Sequence, residues 1–232
     1  DINVGYLYVL GIISLGAYGV LLGSWGSNNK WSLMGGLRSA SQIISYELPL
    51  GLSLIAVFMI SGSLKLDVIV EKQMDGYWNI ILQPLGFLIF LICMFAETNR
   101  TPFDLPEAEN ELIGGFHSEY SSMKLGFFLF SDYVHMFIAS VILSTIYFGG
   151  YDIPFVNDAQ LTESLGMNTM AILHFIVLFA KTCMFIFFFM WVRWTIPRFR
   201  YDQLMDLGWK RLLPLSLFNL LITGFIILYF FN

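Results

Sequence analysis

The chain has 232 residues, of which 57% are hydrophobic and 12% charged, and its mean hydropathy is +0.70. Because soluble domains carry about 25% charged residues, this composition excludes an ordinary soluble domain and indicates an integral membrane protein. The formal net charge of −5 argues against nucleic-acid binding. Cys93 and Cys183 each lie inside an apolar run, which favours buried hydrophobes over a disulfide or a metal site.

The apolar stretches are continuous and do not alternate with polar residues, which favours membrane-spanning helices. Each stretch is close to the roughly 20 residues that a helix needs to cross a bilayer. The predicted spans are residues 3–23, 42–62, 78–96, 125–149, 169–191 and 212–231. The sequence therefore predicts an all-α fold, a polytopic transmembrane helical bundle of about six spans that forms a single domain over residues 1–232.

The positive charges are distributed unevenly between the two sides of this predicted bundle. One side receives the connections 24–41, 97–124 and 192–211, and it carries nine cations: Lys30, Arg38, Arg100, Lys124, Arg193, Arg198, Arg200, Lys210 and Arg211. The other side carries Lys65 and Lys72. Since cations accumulate on the inner side of membrane proteins, the first side is expected to face the cytoplasm or the mitochondrial matrix.

Residues 96–122, AETNRTPFDLPEAENELIGGFHSEYSS, form an acidic segment between two predicted spans. Its carboxylates are Glu97, Asp104, Glu107, Glu109, Glu111 and Glu119, and Arg100 is its one cation. A solvated loop is one interpretation. The other is a site that handles protons or cations, since clustered like charges at a membrane edge do not favour stability. Asp104 before Pro106 indicates the start of a short helix that dips back along the membrane edge.

Charged residues also fall within or at the edge of the predicted spans, at Glu47, Asp132 and Lys181. A charge at the bilayer centre costs roughly 2.5–3.5 kcal/mol on insertion scales, so each is expected to face protein, a partner charge or water. Glu47 is interpreted either as a proton-exchanging group or as a structural partner of a cation. His135, one turn after Asp132, is interpreted as a packed polar residue rather than a relay group.

A basic segment at residues 191–214, WVRWTIPRFRYDQLMDLGWKRLLP, places Arg193, Arg198 and Arg200 near a membrane surface. Topology anchors or contacts with anionic lipids would explain them, and so would a functional role.

Three stretches resemble one known family. The acidic segment, the stretch GGLRSASQIISYELPLGLSL at 35–54 and the basic segment resemble signatures of the quinone-proximal membrane subunit of respiratory complex I, called subunit 1 in mitochondria and the H subunit in bacteria. The similarity runs along essentially the whole chain. Members normally carry two more helices and a basic loop ahead of this region, so the chain is expected to correspond to the C-terminal three-quarters of a member.

The resemblance implies a membrane subunit of a proton-pumping NADH:quinone oxidoreductase that forms a wall of the ubiquinone or menaquinone chamber. It implies an acidic proton and coupling track through Glu47, Glu97, Asp104, Glu107, Glu109, Glu111, Glu119 and Asp132, and a quinone-cavity mouth with Arg193, Arg198 and Arg200. Family members commonly have Glu in place of Asp132.

The same resemblance implies that the partners are peripheral quinone-site and iron–sulfur subunits and neighbouring membrane-arm subunits, in a bacterial inner membrane or the mitochondrial inner membrane. Iron–sulfur clusters and FMN are expected on partner subunits, and no metal site or redox group is expected on this chain, which lacks a cysteine cluster and a dinucleotide fingerprint.

Other functions are compatible with parts of this pattern. A related F420H2- or ferredoxin-dependent complex uses the same type of subunit. A cation/proton antiporter would also need intramembrane acids and a lysine, although such proteins often have paired broken helices that the sequence does not show. A structural anchor for a peripheral arm is a further alternative.

Overall fold

The computed structural model describes residues 3–104, 115–153 and 166–230, and every regular element in these ranges is a helix. The elements are α1 (Gly5–Gly26), α2 (Lys30–Ser61), α3 (Leu66–Met74), α4 (Asn79–Leu82), α5 (Pro84–Glu97), a 3-10 turn (Gly115–His117), α6 (Ser122–Tyr147), α7 (Met167–Thr195), α8 (Tyr201–Asp206), a π-helical segment (Leu207–Leu212) and α9 (Leu213–Phe230). The all-α prediction is confirmed for the part of the chain that the structure describes.

Five of these helical stretches are long and apolar enough to cross a membrane, counted over the described residues. They are α1, α2, α6, α7 and the continuous stretch Tyr201–Tyr229. The shorter apolar helix α5 accounts for the remaining predicted span. The prediction of about six spans is therefore close, and the chain is a multi-pass membrane protein.

Several predicted boundaries were wrong. The connection predicted at 24–41 is mostly helical, because α2 begins at Lys30, where the Asn29 side chain accepts a hydrogen bond from the Trp31 amide (3.0 Å). The span predicted at 78–96 is broken at Gln83, and Pro84 then begins α5, as the fixed φ of proline at a first helical position favours. The connection predicted at 192–211 contains α8 and most of the π-helical segment.

Helix α2 is the central element of the described structure. It packs against α1, α5 and α9 and also contacts the 3-10 turn. With 32 residues it is about 48 Å long, well beyond the roughly 30 Å of a bilayer core, and it ends at Gly62 in the left-handed conformation. Half of its most apolar stretch is buried, against 11–22% in the other four long helices. Residues on α2 can therefore contact several helices at once.

Glycine permits the closest helix contact. A Cβ atom on Gly36 of α2 would lie 1.9 Å from Oγ of Ser24 on α1, and one on Gly35 would lie 3.0 Å from the backbone nitrogen of Phe116. Small residues let membrane helices approach until their backbones pack directly. The GG pair thus brings α1 and the 3-10 turn against the beginning of α2.

The two ends of the bundle differ in chemistry. We call residues 98–104, 115–121 and 196–206 the acidic end. There Ser32 Oγ donates to the Phe116 carbonyl (2.7 Å). We call residues 62–78 and 148–153 the lysine end, because Lys181 of α7 binds there. The described polar residues that form the candidate site lie at these two ends or between them.

The Gly36 contact gives a test of the packing. Gly36→Ala should lower the free energy of unfolding by about 1–3 kcal/mol, because overpacking forces the two helices apart. Gly51→Ala, on the same helix with open space around its Cβ position, is the matched control and should have little effect. The measurement is thermal unfolding of the purified protein in detergent. Equal unfolding temperatures for the two variants would contradict this packing.

Candidate functional site

A small, partly enclosed cavity lies where α1, α2, α5 and α6 meet. Its polar lining consists of Ser14, Glu47, Glu97 and His135, and the remaining lining residues are apolar apart from backbone atoms. Its volume is about 20 Å³, which is enough for about one water molecule. The structure therefore brings two of the predicted track residues, Glu47 and Glu97, to one space, although they are 50 positions apart in the sequence.

Glu47 is held by a hydroxyl that has two possible acceptors. Ser14 Oγ lies 2.9 Å from the carbonyl of Leu10 and also within hydrogen-bonding distance of Glu47 Oε1. A serine has one O–H proton, so it can donate to only one of them at a time. Donation to Glu47 satisfies an ionised carboxylate. When Glu47 carries a proton it can donate to Ser14 Oγ, and the serine then keeps its bond to Leu10. Both protonation states of Glu47 consequently have a hydrogen-bonding partner.

Glu97, the last residue of α5, is 8% exposed and interacts electrostatically with Glu47. Two negative charges in a small and poorly hydrated space repel each other strongly. Binding of a proton to either carboxylate would relieve this repulsion. A pair of this kind, with room for a water, is chemically suited to accept and release a proton.

A larger cavity of about 570 Å³ lies beside the first, between α1 and α6. Asp132, Lys124 and His135 line it, and His135 lines both cavities. The Asp132 side chain is buried at the wall of this space. His135 therefore borders both the cavity of Asp132 and the cavity of Glu47 and Glu97, and its interpretation as a packed polar residue stays a prediction.

A buried amide fixes the chain directly after Glu97. Gln42 of α2 is fully buried, and its Nε2 donates to the carbonyls of Ala96 and Phe103 (both 2.9 Å) and approaches Asn99 Oδ1 (3.3 Å). Buried polar groups of this kind are costly unless paired, so the three acceptors define the path of residues 96–103. Gln42 therefore positions both Glu97 and the backbone that leads to Asp104.

The acidic segment and the basic segment meet at Asp104. Arg198 Nη2 donates to Asp104 Oδ2 at 2.8 Å, with the arginine side chain 42% exposed and the aspartate 9%. The amide of Phe199 also donates to the carbonyl of Pro102 (3.1 Å). Two sets of residues that were predicted separately are thus joined, because a nearly buried carboxylate needs a compensating charge.

His117 lies near the same carboxylate in the 3-10 turn. Burial lowers the pKa of His117 below its usual 6.5, while the charge of Asp104 acts in the opposite direction. Arg100 is also buried, and its guanidinium group lies over the ring of Tyr133, 4.5 Å from the ring centroid. The acidic end therefore contains buried basic groups as well as acids.

The other predicted site residues lie elsewhere or outside the described ranges. Glu119 is exposed and accepts a hydrogen bond from Asn29 Nδ2 (2.6 Å). Arg200 pairs with Asp202 at 3.3 Å in an exposed position, and Arg193 is partly buried near the end of α7. None of these three lines the cavity of Glu47 and Glu97. Three further predicted acids lie outside the described residues: Glu107, Glu109 and Glu111.

Sequence reasoning missed Gln42, Ser14 and His117. All three are uncharged or weakly basic residues, whereas the predicted site residues were chosen for their charge. Gln42 lies five residues before Glu47 in the stretch 35–54, and His117 lies within the acidic segment, so both belong to the signature stretches.

Comparison with known proteins identifies the family. The family model described as NADH dehydrogenase matches residues 1–224. The chain belongs to this family. Its curated relatives include the NADH-quinone oxidoreductase H subunit of Flavobacterium johnsoniae, 59% identical over 228 residues, and an H subunit of Cytophaga hutchinsonii, 57% identical over 230. The H subunit of Salinibacter ruber is 50% identical over 232 residues.

These alignments cover 97–99% of this chain and 65–67% of the relatives. The family resemblance predicted from the three signature stretches is confirmed. The chain spans about two thirds of the length of its relatives, which is less than the three-quarters expected.

The ion pair at Asp104 gives a prediction on stability. Asp104→Asn and Arg198→Gln should each lower the free energy of unfolding, and the double variant should lose less than the sum. The expected coupling is about 1 kcal/mol, since the arginine is partly exposed. Arg200→Gln is the control, because its pair with Asp202 is exposed on both sides. Thermal unfolding measures the cycle, and strictly additive losses would show that the pair contributes nothing.

Proposed function

We propose that this chain is the principal part of the quinone-proximal membrane subunit of a proton-pumping NADH:quinone oxidoreductase. Its relatives are named as H subunits of NADH-quinone oxidoreductase, which does not favour an F420H2- or ferredoxin-dependent complex, an antiporter or a structural anchor. The observation that carries the proposal is the shared cavity of Glu47 and Glu97, connected by residues 98–104 to the ion pair of Asp104 with Arg198.

The proposed reaction links quinone chemistry to these acids through electrostatics. Reduction of a quinone to a quinol takes up protons and changes the charge within a chamber of low dielectric constant, where charges act over longer distances than in water. Asp104 lies at the acidic end, where the chamber wall is proposed. Glu97 lies seven positions earlier, on a backbone held by Gln42. We propose that a charge change at the wall alters which of Glu97 and Glu47 binds a proton.

The proposed track continues from this pair. His135 and Asp132 lie on the α6 side of the cavity, and we propose that they extend the track into the larger space. Glu119 and the acids outside the described residues, Glu107, Glu109 and Glu111, remain proposed members on the side of the acidic segment. Glu119 is exposed, and the other three lie outside the described residues. The geometry therefore supports the enclosed pair of Glu47 and Glu97 most directly.

The proposed role of the basic residues is to shape the mouth of the quinone cavity. Arg198 is bound to Asp104, so it fixes the basic segment against the acidic segment. Arg193 and Arg200 lie on either side of it in the sequence and are proposed to face the polar quinone head group or lipid. Guanidinium groups suit such sites because they stay charged and present several donors.

The proposed assembly follows from the same assignment. Ubiquinone or menaquinone is the proposed substrate, and the iron–sulfur clusters and FMN are proposed to lie on partner subunits. Peripheral quinone-site subunits would cover the acidic end, and neighbouring membrane-arm subunits would cover the apolar helix faces. The proposed location is the bacterial or mitochondrial inner membrane, with the acidic end towards the cytoplasm or matrix.

The acids are tested in the assembled complex. Glu47→Gln and Glu97→Gln keep size and polarity but remove a proton-exchanging group, and quinone reduction and acidification should fall together, by about tenfold or more. Asp132→Asn should have a smaller effect, and Asp132→Glu should be tolerated. Glu71→Gln, an exposed acid outside the proposed track, is the control. Quinone reduction and vesicle acidification are measured together in sealed liposomes, and full activity in Glu47→Gln and Glu97→Gln would contradict the proposal.

The orientation is tested by cysteine labelling in membrane vesicles. After replacement of the exposed Cys183 by Ser, single cysteines at Asp202 and Glu71 should react with an impermeant thiol reagent from opposite faces of membrane vesicles from which the peripheral subunits have been stripped. Position 202 should react in inside-out vesicles, because nine cations favour that side as the inner one. Reaction of position 202 in right-side-out vesicles would reverse the topology.

A further inference from the structure

Two serines of α2 present hydrogen-bond acceptors to the basic segment. Ser41 and Ser45 are four positions apart, so they lie on one face of the helix. Each donates its hydroxyl proton to the backbone of α2: Ser41 Oγ to the carbonyl of Arg38 (2.9 Å) and Ser45 Oγ to the carbonyl of Ser41 (2.6 Å). Because a serine has one donor and two acceptor lone pairs, each oxygen can still accept from a group outside α2.

Two aromatic side chains of the basic segment supply the matching donors. Trp209 Nε1 donates to Ser45 Oγ at 3.1 Å, and an indole N–H can act only as a donor. The Tyr201 hydroxyl lies 3.1 Å from Ser41 Oγ and is the donor there, since the serine proton is bound to the Arg38 carbonyl. Tyr201 begins α8 and Trp209 lies in the π-helical segment, so the serine pair holds residues 201–209 near both ends.

Packing between these two hydrogen bonds supports the same contact. The Tyr46 hydroxyl donates to the carbonyl of Leu204 (2.8 Å), and Gly208 lies against the Tyr46 ring. The buried residues Leu204, Gly208, Leu212 and Ser216 recur every four positions, whereas an α-helix completes a turn in about 3.6 residues. The wider π-helical segment compensates for this difference, because its hydrogen bonds span one more residue. The buried stripe therefore stays against α2.

The segment that the serines hold follows directly on the arginines of the proposed quinone-cavity mouth. Arg198 and Arg200 precede α8, and Arg198 binds Asp104. Glu47 comes two positions after Ser45, which places it roughly 200° around the helix at 3.6 residues per turn. Glu47 lines the acid cavity there. Helix α2 thus carries the contact with the basic segment on one face and the cavity acid on another.

We propose that Trp209 is a positioning residue for quinone binding. Through its hydrogen bond to Ser45 it holds the basic segment on α2, and it thereby sets the position of Arg198 and Arg200 at the mouth of the quinone cavity. The presence of quinone at this mouth rests on the proposed function. Trp209 acts through the arginines and does not itself contact the quinone.

The first measurement is steady-state quinone reduction by the assembled complex. Trp209→Phe keeps an aromatic ring but removes the N–H donor, and Ser45→Ala removes the acceptor. Each should raise the apparent KM for quinone about threefold or more, as the loss of one hydrogen bond allows. The kcat should stay within about twofold of the wild type, because the arginines bind quinone without reacting with it. NADH oxidation by an artificial acceptor should not change.

Two comparisons separate this hydrogen bond from general effects of mutation. The Trp209→Phe, Ser45→Ala double variant should have a KM no higher than the worse single variant, since both changes remove the same bond. Trp194→Phe is the matched control, because this indole lies at the end of α7 and is 83% exposed. Its KM should equal that of the wild type.

The second measurement is amide hydrogen exchange of the same complexes without NADH or quinone, so it does not depend on reductase activity. Amides of residues 201–206 should exchange at least about threefold faster in Trp209→Phe and in Ser45→Ala than in the wild type, because one contact that holds α8 is lost. The Trp194→Phe complex should exchange at the wild-type rate.

A wild-type KM in Trp209→Phe and Ser45→Ala, or a double variant whose KM rises by the product of the two single increases, would overturn the proposal. Unchanged exchange in both single variants would overturn it as well. If the wild-type complex reduced no quinone, the proposed function would fail, and the role of Trp209 in quinone binding would fail with it. Faster exchange in the two variants would still show that this hydrogen bond holds α8 on α2.

Discussion

Charged groups inside a bilayer must be enclosed by protein, water or a partner charge, and this constraint determines where the polar residues of this chain lie. Glu47 faces inward because α2 contacts α1 and α5 together, and Glu97 reaches the same space from the end of α5. The ammonium group of Lys181 is likewise enclosed by protein, because it donates hydrogen bonds to three backbone carbonyls. The described partners of Lys181 are these carbonyls, Trp78 and Asp152, so Lys181 does not neutralise Glu47 or Glu97.

The cavity acids and the bound lysine lie towards opposite ends of the described structure. The acids and the Asp104–Arg198 pair are on the side of residues 98–104, whereas the bound lysine is on the side of residues 148–153. Gln42 connects the cavity to the acidic end by holding the carbonyls of Ala96 and Phe103. A short backbone segment that Gln42 holds therefore joins the acidic end to Glu97, while the opposite end is occupied by the ammonium group of Lys181.

The sequence predicted the helical class, the approximate spans and the family, because apolar runs and long signature stretches are local features. It also identified Glu47, Glu97 and Asp104 as residues of interest. It could not predict that Glu47 and Glu97 share a cavity, since their distance depends on how α2 packs against α5. Helix ends were misplaced for a related reason: hydropathy does not reveal that α2 extends past the bilayer or that the chain breaks at Gln83.

The role of Gln42 could not be predicted either, because a buried glutamine has no recognisable pattern until its acceptors are known. The same holds for Lys181, because its acceptors are backbone carbonyls, which every residue type has. The sequence therefore provides candidates, and the packing of α2 decides which of them can act together.

The central claim is that Glu47 and Glu97 exchange a proton when quinone is reduced. Infrared difference spectra of the assembled complex, recorded on reduction of its bound quinone, test this directly, because protonated carboxyl groups absorb apart from carboxylates. The account predicts a carboxyl band that Glu47→Gln and Glu97→Gln each alter or remove and that Glu71→Gln, at an exposed acid outside the track, leaves unchanged. A carboxyl band identical in the wild type and in both cavity variants would contradict it.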